Sequence, residues 1–195
     1  MAAGRLIAVC GGIGSGKSVV CRILRCMGYS VYDCDTRAKQ LMDASDGIRR
    51  TIAEEICAEA IDCHGRIDRS ALAAAVFGDA TKLEILNRAV HGCVAEDLMS
   101  WRDGQCGLAF VETAILYQSG LHRLVDEVWE VVAPEAIRVR RVMLRNGLSE
   151  AQVLERIEAQ RYRPDAAELH PYTKEIVNDD SSALLPQIEG LLRKL

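Results

Sequence analysis

Two hydrophobic patterns alternate along this chain. Short apolar runs predict buried strands, whereas longer segments with apolar residues at every third or fourth position predict amphipathic helices. The predicted strands span residues 6–10, 29–32, 108–111, 128–132 and 175–178. Helical patterns lie between most of them, and an amphipathic helix over residues 184–195 closes the chain. This alternation predicts an α/β fold with a five-stranded, mainly parallel sheet covered by helices.

The interval between the second and third predicted strands is too long for a simple crossover. Residues 46–104 are mostly helical in pattern, whereas connections in compact α/β units are short. We therefore expect a single domain of 195 residues with an inserted helical subdomain over residues 46–104. Residues 1–45 and 105–195 would form its core, with ligands beyond the carboxyl ends of the strands.

The segment directly after the first predicted strand carries the most specific motif. Residues Gly11 to Ser18 read G-G-I-G-S-G-K-S and match the phosphate-binding loop G-x-x-x-x-G-K-[ST]. Glycines let the backbone N–H groups wrap a phosphate chain, and the following helix adds positive potential at its amino terminus. Lys17 is predicted to bridge the terminal phosphates of ATP, and Ser18 to ligate Mg²⁺. The alternative is a glycine-rich turn that only joins a strand to a helix.

The predicted nucleotide-binding residues of this motif are consecutive: Gly11, Gly12, Ile13, Gly14, Ser15, Gly16, Lys17, Ser18 and Val19.

The composition argues against some classes of protein. The net charge of −4 and the 27% of charged residues are typical of a globular protein and not of a general nucleic-acid binder. No apolar run approaches the roughly 18 residues of a membrane span, and the first residues lack a signal-peptide core. We expect a cytoplasmic protein with no nucleic-acid or membrane partner, whose eight cysteines are free thiols. A monomer and a trimer are equally compatible with the sequence.

Two carboxylates follow the second predicted strand, at the edge of the sheet where ligands bind. Asp33 is predicted to act as the general base that accepts a proton from an attacking hydroxyl. The alternative for Asp33 is a solvated turn residue, because strand-to-helix turns favour aspartate. Asp35 begins the next predicted helix, where an amino-terminal cap and a substrate contact are both open.

Three arginines share one face of the helix predicted after the fourth strand: Arg138, Arg141 and Arg145. Guanidinium groups bind phosphoryl oxygens in a bidentate way, so this face suits a phosphate clamp. A solvated basic face that pairs with nearby acids explains the spacing equally well. Gly147 ends this helix and Ser149 begins the next. Residues 138–163 are therefore predicted to form a helical lid over bound nucleotide.

The order and spacing of these motifs resemble the bacterial dephospho-coenzyme A kinase family, within the nucleotide and nucleoside kinase group of phosphate-loop folds. The resemblance covers nearly the whole chain and uses, besides the loop, short motifs at residues 33–38, 65–69, 76–77, 86–91, 141–145, 156–160 and 176–179. It implies transfer of the ATP γ-phosphoryl group to the ribose 3′-hydroxyl of dephospho-coenzyme A. Coenzyme A and ADP would be the products, in the last step of coenzyme A synthesis.

The resemblance also implies roles for particular residues. Asp33 would match the general base, Arg141 and Arg145 the lid arginines, and Asn178 a position near the adenine of ATP. The inserted subdomain would bind the acceptor. The residues implied to lie near that acceptor are Arg66, Arg69 and His91. A histidine such as His91 is also common as a structural side chain.

Several positions depart from the usual family pattern, and one of them, Val19 in place of a threonine after Ser18, is without consequence because Ser18 supplies the hydroxyl for Mg²⁺. Glu112 stands where aspartate is common, and the uncharged Gln118 stands where the family has glutamate. Gly92 replaces a proline after His91, and Asp180 replaces the glycine that usually ends the asparagine-containing loop. The last two changes alter backbone freedom more than chemistry.

Two other functions would use the same phosphate loop. A kinase for another small acceptor, such as a nucleoside monophosphate, would share the loop, the lid and the inserted helices. A nucleotide-dependent switch would use hydrolysis to change shape. The chain lacks the asparagine-lysine-x-aspartate motif that reads guanine, and a switch would leave Asp33 without an acceptor to deprotonate.

Overall fold

The computed structural model describes residues 4–160, 164–165 and 167–195. Within these residues one sheet has the strand order β2-β3-β1-β4-β5, and every pairing is parallel. The strands are β1 (Arg5–Cys10), β2 (Ser30–Asp33), β3 (Leu108–Glu112), β4 (Glu127–Val132) and β5 (Thr173–Val177). The predicted α/β fold with a five-stranded parallel sheet is confirmed. β5 ends at Val177, so Asn178 lies just beyond the strand, whereas the sequence pattern places it within the strand.

The helices are α1 (Lys17–Cys26), α2 (Cys34–Ala44), α3 (Asp46–Thr51), α4 (Arg69–Val76), α5 (Ala80–Asp103), α6 (Glu135–Asn146), α7 (Glu150–Ala159) and α8 (Leu184–Leu192). A π-helical turn, Ile52–Ile56, follows α3, and short 3-10 turns occupy Ala58–Ala60 and Leu121–Leu124. Across the residues that the structure describes, no helix has the length and apolar character to cross a membrane.

The central strand β1 explains why its sequence is a continuous apolar run. It pairs with β3 on one side and β4 on the other, and residues from Leu6 to Val9 are fully buried. α1 packs Val20 and Leu24 into the same core as Trp129 of β4. Strands of a parallel sheet are covered on both faces, so alternation with polar residues is lost. This core holds the carboxyl end of β1, where the phosphate loop begins.

Cysteine side chains contribute to this packing as small apolar groups. All eight lie among the described residues as free thiols. Cys10 and Cys21 are buried, and burial raises the pKa of the Cys10 thiol to about 12. Burial also raises the pKa of Cys21, with the charge of Glu112 acting in the same direction. Both thiols are therefore neutral at physiological pH.

The chain divides into two compact units. One contains the sheet and comprises the described residues up to Asp33 together with Arg102–Leu195. The other, Cys34–Trp101, is helical and packs Ile48, Ile52 and Leu72 into a core of its own. Most of the segment predicted as an insert, residues 46–104, belongs to this helical unit, and its role in binding the acceptor remains a prediction.

Helices α6 and α7 form a hairpin, Glu135–Ala159, at the predicted lid. Gly147 ends α6 in the left-handed conformation with φ of 65°. Ser149 caps α7 in a reciprocal arrangement with Gln152, as the capping signals in the sequence predict. Apolar residues of both helices, including Val142 and Val153, share a small core. The last lid positions, 161–163, lie outside the described residues.

Two glutamates on neighbouring strands form a like-charge pair in the sheet. Glu130 in β4 is paired in register with Glu175 in β5. Desolvation, followed by the charge of Glu175, raises the pKa of Glu130. A carboxyl whose pKa is raised in the native state destabilises the fold once pH exceeds that pKa, and the penalty disappears below the unfolded-state pKa. We expect Glu130→Gln to raise the melting temperature at pH 7 by about 1–3 °C.

The melting temperature is measured at pH 7 and pH 4 by calorimetry or circular dichroism. The gain should be largely lost at pH 4, where most of the parent carboxyl is protonated in both states. Glu84→Gln, at an exposed position of α5, is the matched control and should leave the melting temperature unchanged at both pH values. An equal gain at both pH values for Glu130→Gln would contradict the electrostatic cause.

Candidate active site around the phosphate loop

The phosphate loop joins β1 to α1, and neighbouring backbone and side-chain atoms limit the residues it accepts. Gly11 has φ of 139°, and a Cβ there would lie 2.3 Å from the carbonyl oxygen of Val131. Gly16 has φ of 100°, and a Cβ there would lie 2.0 Å from Nδ2 of Asn178. Such contacts are too short for any side chain, so both positions require glycine. The motif is thus held between β4 and the loop after β5.

The amino terminus of α1 is open for an anion. Gly16 is its N-cap residue and provides no side-chain cap, and the first turn contains no acidic residue. Its N–H groups and the helix dipole therefore favour a negatively charged ligand. The buried hydroxyl of Ser15 has no hydrogen-bond partner among the described residues, which also fits a polar ligand. These features fit the phosphates of ATP.

Lys17 lies against the loop that precedes it. Its Nζ donates to the carbonyl oxygen of Gly11 at 2.8 Å and to that of Gly12 at 3.4 Å. The ammonium group is therefore held beside the loop that leads into the uncapped amino terminus of α1. A cation at this position can neutralise phosphate oxygens, as the motif predicts.

Two carboxylates end neighbouring strands of the sheet beside this loop. Asp33, half-buried at the end of β2, is paired in register with Glu112 at the end of β3. The Ser18 hydroxyl donates to Oε1 of Glu112 at 2.6 Å. Oε2 of Glu112 lies 4.0 Å from a guanidinium nitrogen of Arg25. The strand ends therefore bring together a candidate proton acceptor and a hydroxyl-carboxylate pair suited to a hard cation.

Side chains of α6, and Gln160 directly after α7, contact the phosphate loop. Arg138 donates from Nε to the carbonyl oxygen of Ile13 at 2.9 Å. The side-chain oxygen of Gln160 accepts from the Ile13 N–H at 3.0 Å. Arg141 donates to the carbonyl oxygens of Gly14 and Ser15, each at 3.4 Å. These bonds link the predicted lid to the loop.

Asn178 and Arg145 have different surroundings. Asn178 is buried, donates from Nδ2 to the Ser15 carbonyl oxygen at 2.7 Å, and accepts from Arg141 at 3.1 Å. Arg145 is exposed near the carboxyl end of α6 and donates to Oδ1 of Asn146 at 2.8 Å. Of the three arginines predicted to share a face, the structure therefore shows contacts with the loop for Arg138 and Arg141, while Arg145 contacts its neighbour in sequence.

The remaining predicted site residues lie in the helical unit. Asp35 is exposed in the first turn of α2. Arg66 donates to Asp62 at 2.9 Å, and Arg69 donates to Asp43 at 2.7 Å. The half-buried position of His91 on α5 lowers its pKa. In this structure each of the two arginines is thus paired with an acidic residue of its own unit.

The comparisons with known proteins decide the family. Residues 5–183 match the model of the family described as dephospho-CoA kinase. This chain belongs to the dephospho-CoA kinase family. A dephospho-CoA kinase of Porphyromonas gingivalis is 38% identical over 187 residues, which cover 95% of this chain and 92% of that relative. The family resemblance of the motifs is therefore confirmed.

Solved structures similar to this kinase agree with the fold. A crystal structure from Thermus thermophilus has a TM-score of 0.75 and 34% identity, covering 98% of this chain and 95% of that chain. A dephospho-CoA kinase from Campylobacter jejuni has a TM-score of 0.65 and 21% identity, covering 97% of this chain and 96% of that chain. The second likeness is evidence of the fold alone.

Glu112 of this kinase is a candidate functional residue that sequence reasoning missed. In the sequence it differs from the family pattern only by replacing aspartate. Its place after the third predicted strand, at the same sheet edge as Asp33, is the signal that indicates a role. The structure also shows the surroundings of two other residues that depart from the family pattern. α5 continues through Gly92, where a Cβ would meet nothing within 4 Å, and Gln118 is exposed.

Proposed function

We propose that this kinase transfers the γ-phosphoryl group of ATP to the ribose 3′-hydroxyl of dephospho-coenzyme A, giving coenzyme A and ADP. The observation that carries the proposal is the open amino terminus of α1 next to the ends of β2 and β3, in a chain of this family. The N–H groups that would bind phosphate and the candidate proton acceptor thus lie at the same edge of the sheet. We also propose that the protein is cytoplasmic.

Mg²⁺ fits the donors next to the loop. The Ser18 hydroxyl and the Glu112 carboxylate are 2.6 Å apart, and both supply oxygen, which is the ligand type that Mg²⁺ prefers. Ser18 and Glu112 would hold the ion together with phosphate oxygens. When bound, Mg²⁺ neutralises charge on the β- and γ-phosphoryl groups.

The chain's own residues would perform the transfer by positioning and by electrostatics. The loop N–H groups and Lys17 hold the phosphates of ATP, and the 3′-hydroxyl oxygen attacks the γ-phosphorus as the bond to ADP breaks. Asp33 accepts the hydroxyl proton. Lys17 stabilises the charge on the transferred group because it is held beside the loop by the Gly11 carbonyl oxygen.

Two larger parts of the molecule would bind and enclose the substrates. The helical unit, with Arg66, Arg69 and His91, would bind the acceptor, and displacement of the acidic partners of the two arginines would free their guanidinium groups for phosphate oxygens. The α6–α7 hairpin would act as a lid that excludes water from the reaction. Arg145, exposed in this structure, would reach the transferred group when the hairpin closes.

The proposed reaction is tested by a coupled ADP-release assay with ATP and Mg²⁺. Dephospho-coenzyme A, AMP, CMP and adenosine are compared as acceptors, and the product mass is measured. Release that depends on dephospho-coenzyme A, with coenzyme A as the product, is the expected result. Preference for a nucleoside monophosphate would keep the fold and refute the acceptor, and no release with any acceptor would favour a nucleotide-dependent switch.

Glu112 offers a test of the proposed metal site. Glu112→Gln keeps the shape of the side chain but removes the charge that would hold Mg²⁺ next to Ser18. We expect the free Mg²⁺ concentration for half-maximal turnover to rise about tenfold. Turnover is measured against free Mg²⁺ at saturating ATP, with Glu130→Gln as the matched control on β4. An unchanged Mg²⁺ requirement would contradict the proposed role of Glu112.

A further inference from the structure

Asp180 has a backbone conformation that its residue type disfavours. Among the described residues it is the one residue other than glycine with positive φ, at 66°. The left-handed region crowds the Cβ of an L residue against the following carbonyl, although aspartate is tolerated there better than most. A disfavoured conformation persists where surrounding contacts hold it, and such positions are often functional.

The neighbouring residues hold the turn that contains Asp180. The Asn178 backbone N–H donates to the Val132 carbonyl oxygen at 2.8 Å. Oδ1 of Asp179 accepts from the backbone N–H groups of Ser181 at 3.0 Å and Ser182 at 2.7 Å. These bonds hold the pKa of Asp179 well below its usual range. The turn is thus stabilised by Asp179, which leaves the side chain of Asp180 to interact with α6.

The Asp180 carboxylate bridges two consecutive arginines of α6. Oδ1 accepts from Arg141, and Oδ2 accepts from Arg140. The Arg140 side chain is 64% exposed, so its ion pair is weak, whereas the Arg141 side chain is 25% exposed. The pair with Arg141 is therefore the one with the larger expected consequence.

Arg141 also connects the loop after β5 to the phosphate loop. Its second terminal nitrogen donates to the carbonyl oxygens of Gly14 and Ser15 at 3.4 Å each, a distance at which a hydrogen bond is weak. The nitrogen that contacts Asp180 also donates to Asn178 at 3.1 Å. These three acceptors are neutral. Asp180 supplies the negative charge that holds the guanidinium in this place.

We infer that Asp180 is a positioning residue, whose carboxylate holds Arg141 against the phosphate loop and thereby increases the affinity for ATP. The inference rests on the proposed nucleotide site. Without this charge, Arg141 retains weaker neutral contacts, and ATP binding must order both the guanidinium and the loop carbonyls it contacts. A side chain that is already in place avoids this entropy cost.

Two substitutions separate the charge of Asp180 from its backbone conformation. Asp180→Asn keeps the side-chain shape and tolerates positive φ, whereas Asp180→Gly removes the side chain and relaxes the backbone. We expect each substitution to weaken binding of a non-hydrolysable ATP analogue, in the presence of Mg²⁺, about five- to tenfold. Binding is measured by calorimetry. The melting temperature of Asp180→Gly should stay within about 3 °C of the parent or rise. Unchanged or tighter binding in both variants would refute the inference.

A double-mutant cycle then tests whether Asp180 acts through Arg141. If it does, Asp180→Asn should weaken analogue binding about five- to tenfold in the parent but less than about twofold in the Arg141→Ala background. Arg140→Ala removes the other ion pair of Asp180 and should leave binding unchanged. Equal effects of Asp180→Asn in the two backgrounds would refute the positioning role.

These binding measurements need no acceptor. Failure of the kinase to phosphorylate dephospho-coenzyme A would refute the proposed reaction and leave the Asp180 result standing. Independent effects in the cycle would refute the role of Asp180 and leave the reaction standing. The two proposals therefore fail separately.

Discussion

Asp33→Asn is expected to lower kcat for dephospho-coenzyme A about a thousandfold while leaving ATP affinity within about twofold of the parent. The amide has the shape of the carboxylate but cannot accept the proton of the 3′-hydroxyl. Asp33 ends β2 and is paired in register with Glu112 of β3, so an isosteric change should preserve the sheet. The ADP-release assay measures turnover, and calorimetry with the non-hydrolysable analogue measures nucleotide binding.

Asp103→Asn is the matched control, because Asp103 is exposed at the carboxyl end of α5. It should have parental turnover. Loss of nucleotide binding in Asp33→Asn, in parallel with loss of turnover, would instead assign Asp33 to metal binding or to structure. Turnover close to that of the parent would exclude Asp33 as the general base.

Lys17→Ala should lower kcat about a hundred- to a thousandfold and should raise KM for ATP. The ammonium group is held next to the loop by the carbonyl oxygen of Gly11, where it would neutralise charge that grows on the transferred phosphoryl group. Lys17→Arg is not expected to restore turnover, because a planar guanidinium is larger and directs its donors differently. Steady-state kinetics over a range of ATP concentrations separates kcat from KM.

Stability must be measured beside these kinetics. Lys17 is half-buried in a loop whose geometry depends on Gly11 and Gly16, so the melting temperature should stay within about 3 °C of the parent. Lys39→Ala, at an exposed position of α2, should behave like the parent in both assays. A folded Lys17→Ala variant with near-parental kcat would contradict the proposed role of the lysine.

Local patterns were sufficient for most of the fold. A parallel strand covered on both faces must be apolar throughout, so residues 6–10 identified β1 (Arg5–Cys10) directly. The caps Gly147 and Ser149 act within one or two turns of helix, and α6 and α7 end and begin where these residues predict. The phosphate loop was predicted for the same reason, because the pattern of glycines and Lys17 is contained in eight consecutive residues.

Contacts between distant residues were decided by the tertiary structure. Ser18 and Glu112 are 94 positions apart, and Asn178 and Ser15 are 163 apart. Their pairing depends on the strand order β2-β3-β1-β4-β5, which no local pattern specifies. The spacing of arginines on α6 predicted a shared face but not which acceptor each would find.

The sequence by itself therefore determined the strands, the caps and the phosphate-loop motif, since each depends on interactions within a few residues. Only the tertiary structure decided that Glu112 contacts Ser18 and that Asp180 pairs with Arg141. Both pairings arise because packing of the sheet brings separate strand ends and loops to one place, and hydrogen bonding then selects among the polar groups that meet there.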